Sequence, residues 1–200
     1  MMTHVASDGP TIKVCLVNDG DDFETPWAID LGPADNAPPG SRRVRLINVP
    51  FMHAKPTWGD VIVVSPVDGQ QLTWDGEGVA YSEIDARIEE DGGRYAVIVG
   101  YMPHAGTSAS DAFKAFCAVF EREGDLSQAD AVCEGATLPN EERPGRIYLA
   151  ANYDLSPDMV MERLRAAHLP CDVTLFHPVE AATTPSRRDG LKGPGSGTTR

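Results

Sequence analysis

Between residues 48 and 64 the chain reads NVPFMHAKPTWGDVIVV. His53, Lys55 and Asp60 in this stretch supply a titratable ring, a cation and a carboxylate. Those are the group types that acid–base work on a bound ligand requires. Phe51 and Trp58 add apolar ring surface around them, and Trp27 lies upstream. Aromatic walls with a few polar groups are the composition of a small-molecule site. The plainer reading is architectural. Pro50 and Pro56 bracket the loop, Gly59-Asp60 before a β-branched run is ordinary turn chemistry, and Phe51 and Trp58 would close the open end of a small sheet. His104 is the second candidate. It stands in YMPHAGTSASDAF, between a strand and a helix start, where free backbone N–H groups favour an anion.

Other chemistries find less support. Cys15, Cys117, Cys133 and Cys171 are widely spaced without a C-x-x-C pair, so no metal ligand set and no cofactor is expected. Cys117 falls among Phe113, Phe116 and Phe120 and reads as an inert core thiol. The histidines at 4, 53, 104, 168 and 177 show no zinc-protease spacing, and no G-x-S-x-G nucleophile motif occurs. The acidic stretch NDGDDFE lacks the twelve-residue frame of a calcium loop. Tyr95, Tyr101, Tyr148 and Tyr153 would suit stacking of RNA bases. The formal charge of −13 argues against it, because nucleic-acid affinity depends on neutralising phosphates. Nucleic acid is therefore not an expected partner, whereas a basic protein is. No window is long and apolar enough for a membrane span, and the first residues lack a basic n-region, so the expectation is a cytoplasmic protein.

The elements that must position these residues divide into two groups. In residues 1–91, TIKVCLV, ETPWAIDLG, RRVRLINVP, DVIVVSPV, QQLTWDG and GVAYSEIDARIEED follow one another as short strands without helical patterning. This predicts a small curled β-sheet or barrel. In residues 92–180 the order is strand, helix, strand, strand, helix, strand. The first helix should run through SASDAFKAFCAVFEREG, capped by Ser108 or Ser110 and stopped at Gly124. The second has Ser156 as N-cap and Pro157 at its first position. That order predicts a ferredoxin-like βαββαβ module of spatial order 4-1-3-2, with Cys133 and Cys171 at opposite edges. Residues 181–200 are polar, rich in Gly, Pro, Ser and Thr, and expected to be a disordered tail. The fold class is thus α+β.

Three short motifs carry a resemblance. Glu24, Trp27 and Ala28; Pro50 and Phe51 with Gly59, Asp60 and Val61; and Gly93, Arg94 and Tyr95 match the pattern of a bacterial family, the domain of unknown function numbered 4265. The resemblance spans about residues 24–180, and Met52 and His53 stand where that family often has a second aromatic residue. It implies a two-part α+β architecture and brings no catalytic residue. The expected function is non-enzymatic: an acidic binding protein, for instance an immunity-type inhibitor of a basic partner. The alternative is a small-molecule sensor or enzyme with a pocket where the two modules meet, lined by Trp27, Phe51, His53, Trp58 and His104, with Lys55 and Asp60 as further candidate binding residues.

Overall fold

The computed structural model describes residues 9–17, 23–51, 55–66, 81–121 and 126–176, with the backbone alone for 17, 23, 66, 81–87 and 127. The acidic turn at 18–22, His53, the strand expected at 70–76 and the tail 181–200 lie outside the described residues.

The first half contributes β1 (Thr11–Val17), β2 (Phe23–Glu24), β3 (Trp27–Pro33), β4 (Arg42–Leu46), β5 (Val61–Pro66) and β6 (Tyr81–Glu90). They hydrogen-bond in the order β2-β1-β3-β4-β5-β6. β1 also meets β6 in parallel, Val14 opposite Tyr81 and Cys15 opposite Ser82. The small curled sheet or barrel expected here is therefore corrected to a six-stranded mixed sheet with β2 at an edge. Strand direction accounts for the mixed pairing. β3, β4, β5 and β6 each run antiparallel to the strand before them in the meander from β1. The last strand consequently points the same way as the first. Alternating hydrophobicity says which side chains turn inward, and it does not say which strands pair. The inward set is Val14, Leu16, Ala28, Val44, Leu46, Ile62 and Val64. Arg43, on the opposite face of β4, reaches Glu89 and Glu90 instead.

The second half consists of β7 (Arg94–Pro103), α1 (Ala109–Cys117), β8 (Ala131–Thr137), β9 (Gly145–Asn152), α2 (Pro157–Ala166) and β10 (Cys171–Phe176). Its strand order is β10-β7-β9-β8, with every neighbouring pair antiparallel. This is the ferredoxin-like, split-βαβ connectivity. Cys133 on β8 and Cys171 on β10 occupy opposite edges, and all four cysteines are free and buried.

Both helices begin as the sequence dictates. The Ser108 hydroxyl accepts from the Asp111 N–H and the Ser156 hydroxyl from the Met159 N–H, with Pro157 at the first position of α2. α1 stops seven residues short of the expected Gly124. Beyond Cys117 the N–H groups of Val119 and Phe120 turn back to carbonyls three residues earlier, on Phe116 and Cys117. Such tightening satisfies the last carbonyls and ends the helix without a glycine.

The four-stranded sheet buries both faces. One packs Val97, Val99, Tyr101, Ile147 and Leu149 against Phe116, Phe120, Val160 and Leu164 of the helical layer. The other packs Ala96, Ile98, Val132, Tyr148 and Ala150 against Val49 and Trp58, from the loop between β4 and β5. Phe51 of the same loop places its ring 5.8 Å from that of Tyr148. Phe51 and Trp58 therefore lie on the second sheet instead of closing the end of the first. The tyrosines divide in the same way. Tyr101 and Tyr95 face the helical layer and Tyr148 faces the loop, so these three do not share one stacking surface.

Candidate ligand centre at the end of the first helix

The residues singled out between 48 and 64 meet in an ion-pair network. Lys55 Nζ lies 2.9 Å from Asp60 Oδ1 and 2.8 Å from Asp91 Oδ1. The Asp60 carboxylate has no exposed surface, and accepts from the Thr57 and Gly92 N–H groups at 2.7 Å each. Tyr153 donates its hydroxyl to Asp91 Oδ2 at 2.6 Å, and Gly93 N–H donates to Asp91 Oδ1 at 2.8 Å. Lys55 and Asp60 come from the loop, Asp91 to Gly93 from the link between β6 and β7, and Tyr153 from the end of β9. The network thus pins the loop to both sheets. A cation and carboxylate spent on each other are poor candidates for acting on a ligand. His53 lies outside the described residues.

Of the remaining candidates, Trp27 is 44% exposed on the outer side of β3, with Lys13 Nζ 4.5 Å from its ring centre. His104 is exposed and faces Asp172 at 3.3 Å. The helix start beside it is filled by the chain itself: Ser108 donates to Asp111 Oδ2 while accepting from the Asp111 N–H. A carboxylate already at that position disfavours a second anion.

Asp91 gives this network a pH dependence. Burial works to raise its carboxyl, but Lys55, Tyr153 and the Gly93 N–H together outweigh that and hold it below its usual value. A depressed carboxylate stabilises the fold fully above the ordinary range and loses that contribution as pH falls through its folded value. Thermal midpoints followed from about pH 7 to about pH 3 should fall less steeply for Asp91→Asn than for the unaltered chain. Identical slopes would show that Asp91 takes no part in the acid response.

A different constellation forms where the sequence pointed to none. The donor atoms of Cys117, Glu121 and Cys133 all lie within 4.8 Å of one another. Cys117 is buried in the core, as its neighbours in the sequence imply, and its closeness to Glu121 and Cys133 is what the spacing did not reveal. Cys117 and Glu121 are four apart, one helical turn, so they share a face. The tightened end of α1 keeps that register: the Glu121 N–H bonds the Cys117 carbonyl at 3.0 Å. Cys133 arrives on edge strand β8, where its N–H donates to Glu121 Oε1 at 3.3 Å. Immediately after it β8 carries a bulge, since Cys133 pairs with Leu149 but Ala136 with Ile147. Glu134 and Gly135 together oppose Tyr148, and Gly135 takes φ +106°, which an L side chain resists.

The electrostatics of this corner have one sign. The Cys117 thiol, through its hydrogen bond to Cys133, and then burial push the Cys133 thiol well up. Burial raises the Glu121 carboxyl against the opposing Cys133 N–H. Burial, with Glu121 beside it, pushes Glu134 up to about 7. Every one of these shifts resists negative charge, and burial acts on all three groups.

What the fold and this corner define is a two-sheet α+β protein with a thiol–carboxylate cluster between a helix end and a sheet edge. Comparison with protein-family models, with curated proteins and with solved structures finds no match.

Proposed function

We propose that the protein is a small-ligand sensor whose ligand binds at Cys117, Glu121 and Cys133. The observation that carries this reading is the convergence of two sulfurs and a carboxylate within 4.8 Å. The two-element construction supports it further, since a ligand held there would tie the end of α1 to β8. The module junction, favoured by the sequence for such a site, is a weaker candidate because Lys55 and Asp60 are committed to each other. The site of action we propose is the cytoplasm. Four free, buried thiols suit a reducing compartment, and no helix among the described residues is long and apolar enough to cross a membrane.

Thermal shift of the full chain against a panel of cations and small thiol-seeking compounds tests the reading. At least one compound is expected to raise the melting midpoint, and the Cys117→Ala/Cys133→Ala double variant should lose that response. A response unchanged in the double variant would overturn it. The second reading, an acidic inhibitor of a basic partner, is supported by the formal charge of −13 alone. It calls for a protein partner recovered from lysate at low salt and released as salt rises.

A further inference from the structure

We propose that the ligand at Cys117, Glu121 and Cys133 is a thiophilic divalent cation of the zinc class, held by two sulfurs and one carboxylate with a fourth position open. This deepens the sensor reading and rests on it. Donor chemistry selects the class. Magnesium and calcium take oxygen ligands in larger shells, whereas paired thiolates favour zinc and its soft neighbours. The separations are compatible with it. Tetrahedral bonds of about 2.3 Å to sulfur and about 2.0 Å to oxygen put the donors under roughly 4 Å apart. Atoms already within 4.8 Å of one another need to close by about an ångström or less.

The supports around the ligands also fit. Glu121 is oriented by the Cys133 N–H, a contact of the kind that fixes a metal-binding carboxylate. Cys117 and Cys133 are buried, while Glu121 is only partly so and gives an ion a way in from solvent. Three protein ligands leave one tetrahedral position for water or an exchangeable group, the pattern of sites that respond to or act on a further molecule. Cys15 on β1 and Cys171 on the far edge strand β10 are not in the cluster and serve as internal controls.

The test uses the full, reduced chain stripped of metal by chelation. Zinc is titrated in competition with a chromogenic chelator, and cobalt(II) is added in parallel to report thiolate coordination by absorption. One equivalent of zinc and a thiolate-to-cobalt charge-transfer band are expected. Cys117→Ser and Cys133→Ser should each weaken zinc about a hundredfold or more, and Glu121→Gln about tenfold. Cys171→Ser should leave affinity unchanged. Glu121→Gln changes a side chain that is only partly buried and keeps the test decisive should a buried serine impair folding. Absence of saturable zinc binding, or binding indifferent to all three cluster variants, overturns the proposal. Should zinc fail while the compound panel still gives a response that the double alanine variant loses, the cation class falls and the sensor reading stands. Loss of both results removes both.

Discussion

Asp60→Ala is expected to lower the folding free energy by about 3–5 kcal/mol, the cost of stripping one partner from a buried ion pair. Asp60 is fully buried and accepts from Lys55 Nζ and the Thr57 and Gly92 N–H groups. Alanine removes all of these acceptors at once. Lys55 retains Asp91, at 2.8 Å, so part of its charge stays compensated. The two backbone N–H groups keep no substitute and face a desolvation cost of about 1–3 kcal/mol each. The setting adds to this, because Gly92 packs directly on the backbone of Gly59 and a Cβ there would come within 2.9 Å of it. Little space remains for water to replace the carboxylate. Urea denaturation measures the effect. A loss under about 1 kcal/mol, typical of a surface substitution, would mean that the network does not hold the two sheets together.

The second large effect is expected at Arg94, at the start of β7. Its side chain is almost wholly buried and donates to the carbonyls of Ala150, Leu126 and Ala129. Its guanidinium also lies 5.2 Å from the centre of the Trp58 ring. One residue thus joins the central strand β9, the 3-10 turn Leu126–Gln128 and the loop laid over the sheet. Arg94→Ala should cost about 2–4 kcal/mol, the sum of lost charged hydrogen bonds and lost packing. Arg94→Lys should recover only part of it, because an ammonium cannot present the planar fork to several carbonyls. Full recovery by lysine would show that charge alone matters at this position.

Much of the second sheet was legible because helix signals are local. Ser108, Ser156 and Pro157 sit where caps require them, and the order of strands and helices admits few connections. The first sheet was less legible because pairing is non-local. Val44 and Leu46 declare an inward face, yet nothing in their alternation reveals that β1 has β2, β3 and β6 as neighbours. The motif residues Gly93, Arg94, Tyr95, Gly59 and Asp60 turn out to have structural partners. Arg94 and Asp60 are anchors, and the Tyr95 hydroxyl donates to the Leu155 carbonyl at 2.6 Å.

The cluster stayed hidden for a related reason. Cys117 and Glu121 stand four residues apart, but Cys133 follows twelve residues after Glu121 on another element, so no spacing rule links it to them. The one available signal was topological. A strand that follows α1 and lies at the sheet edge must pass the end of that helix, and a cysteine near its start then arrives beside the last turn. The phenylalanines around Cys117 obscured this by marking the position as core, which it also is.

Two thiols and a carboxylate, from the end of α1, the turn that follows it and β8, form one coordination site in this account. X-ray absorption at the zinc edge, on the full chain loaded with one equivalent of zinc, tests it most directly. Two sulfur scatterers at about 2.3 Å, completed by oxygen or nitrogen at about 2.0 Å, are the predicted shell. A shell of oxygen and nitrogen alone would contradict it.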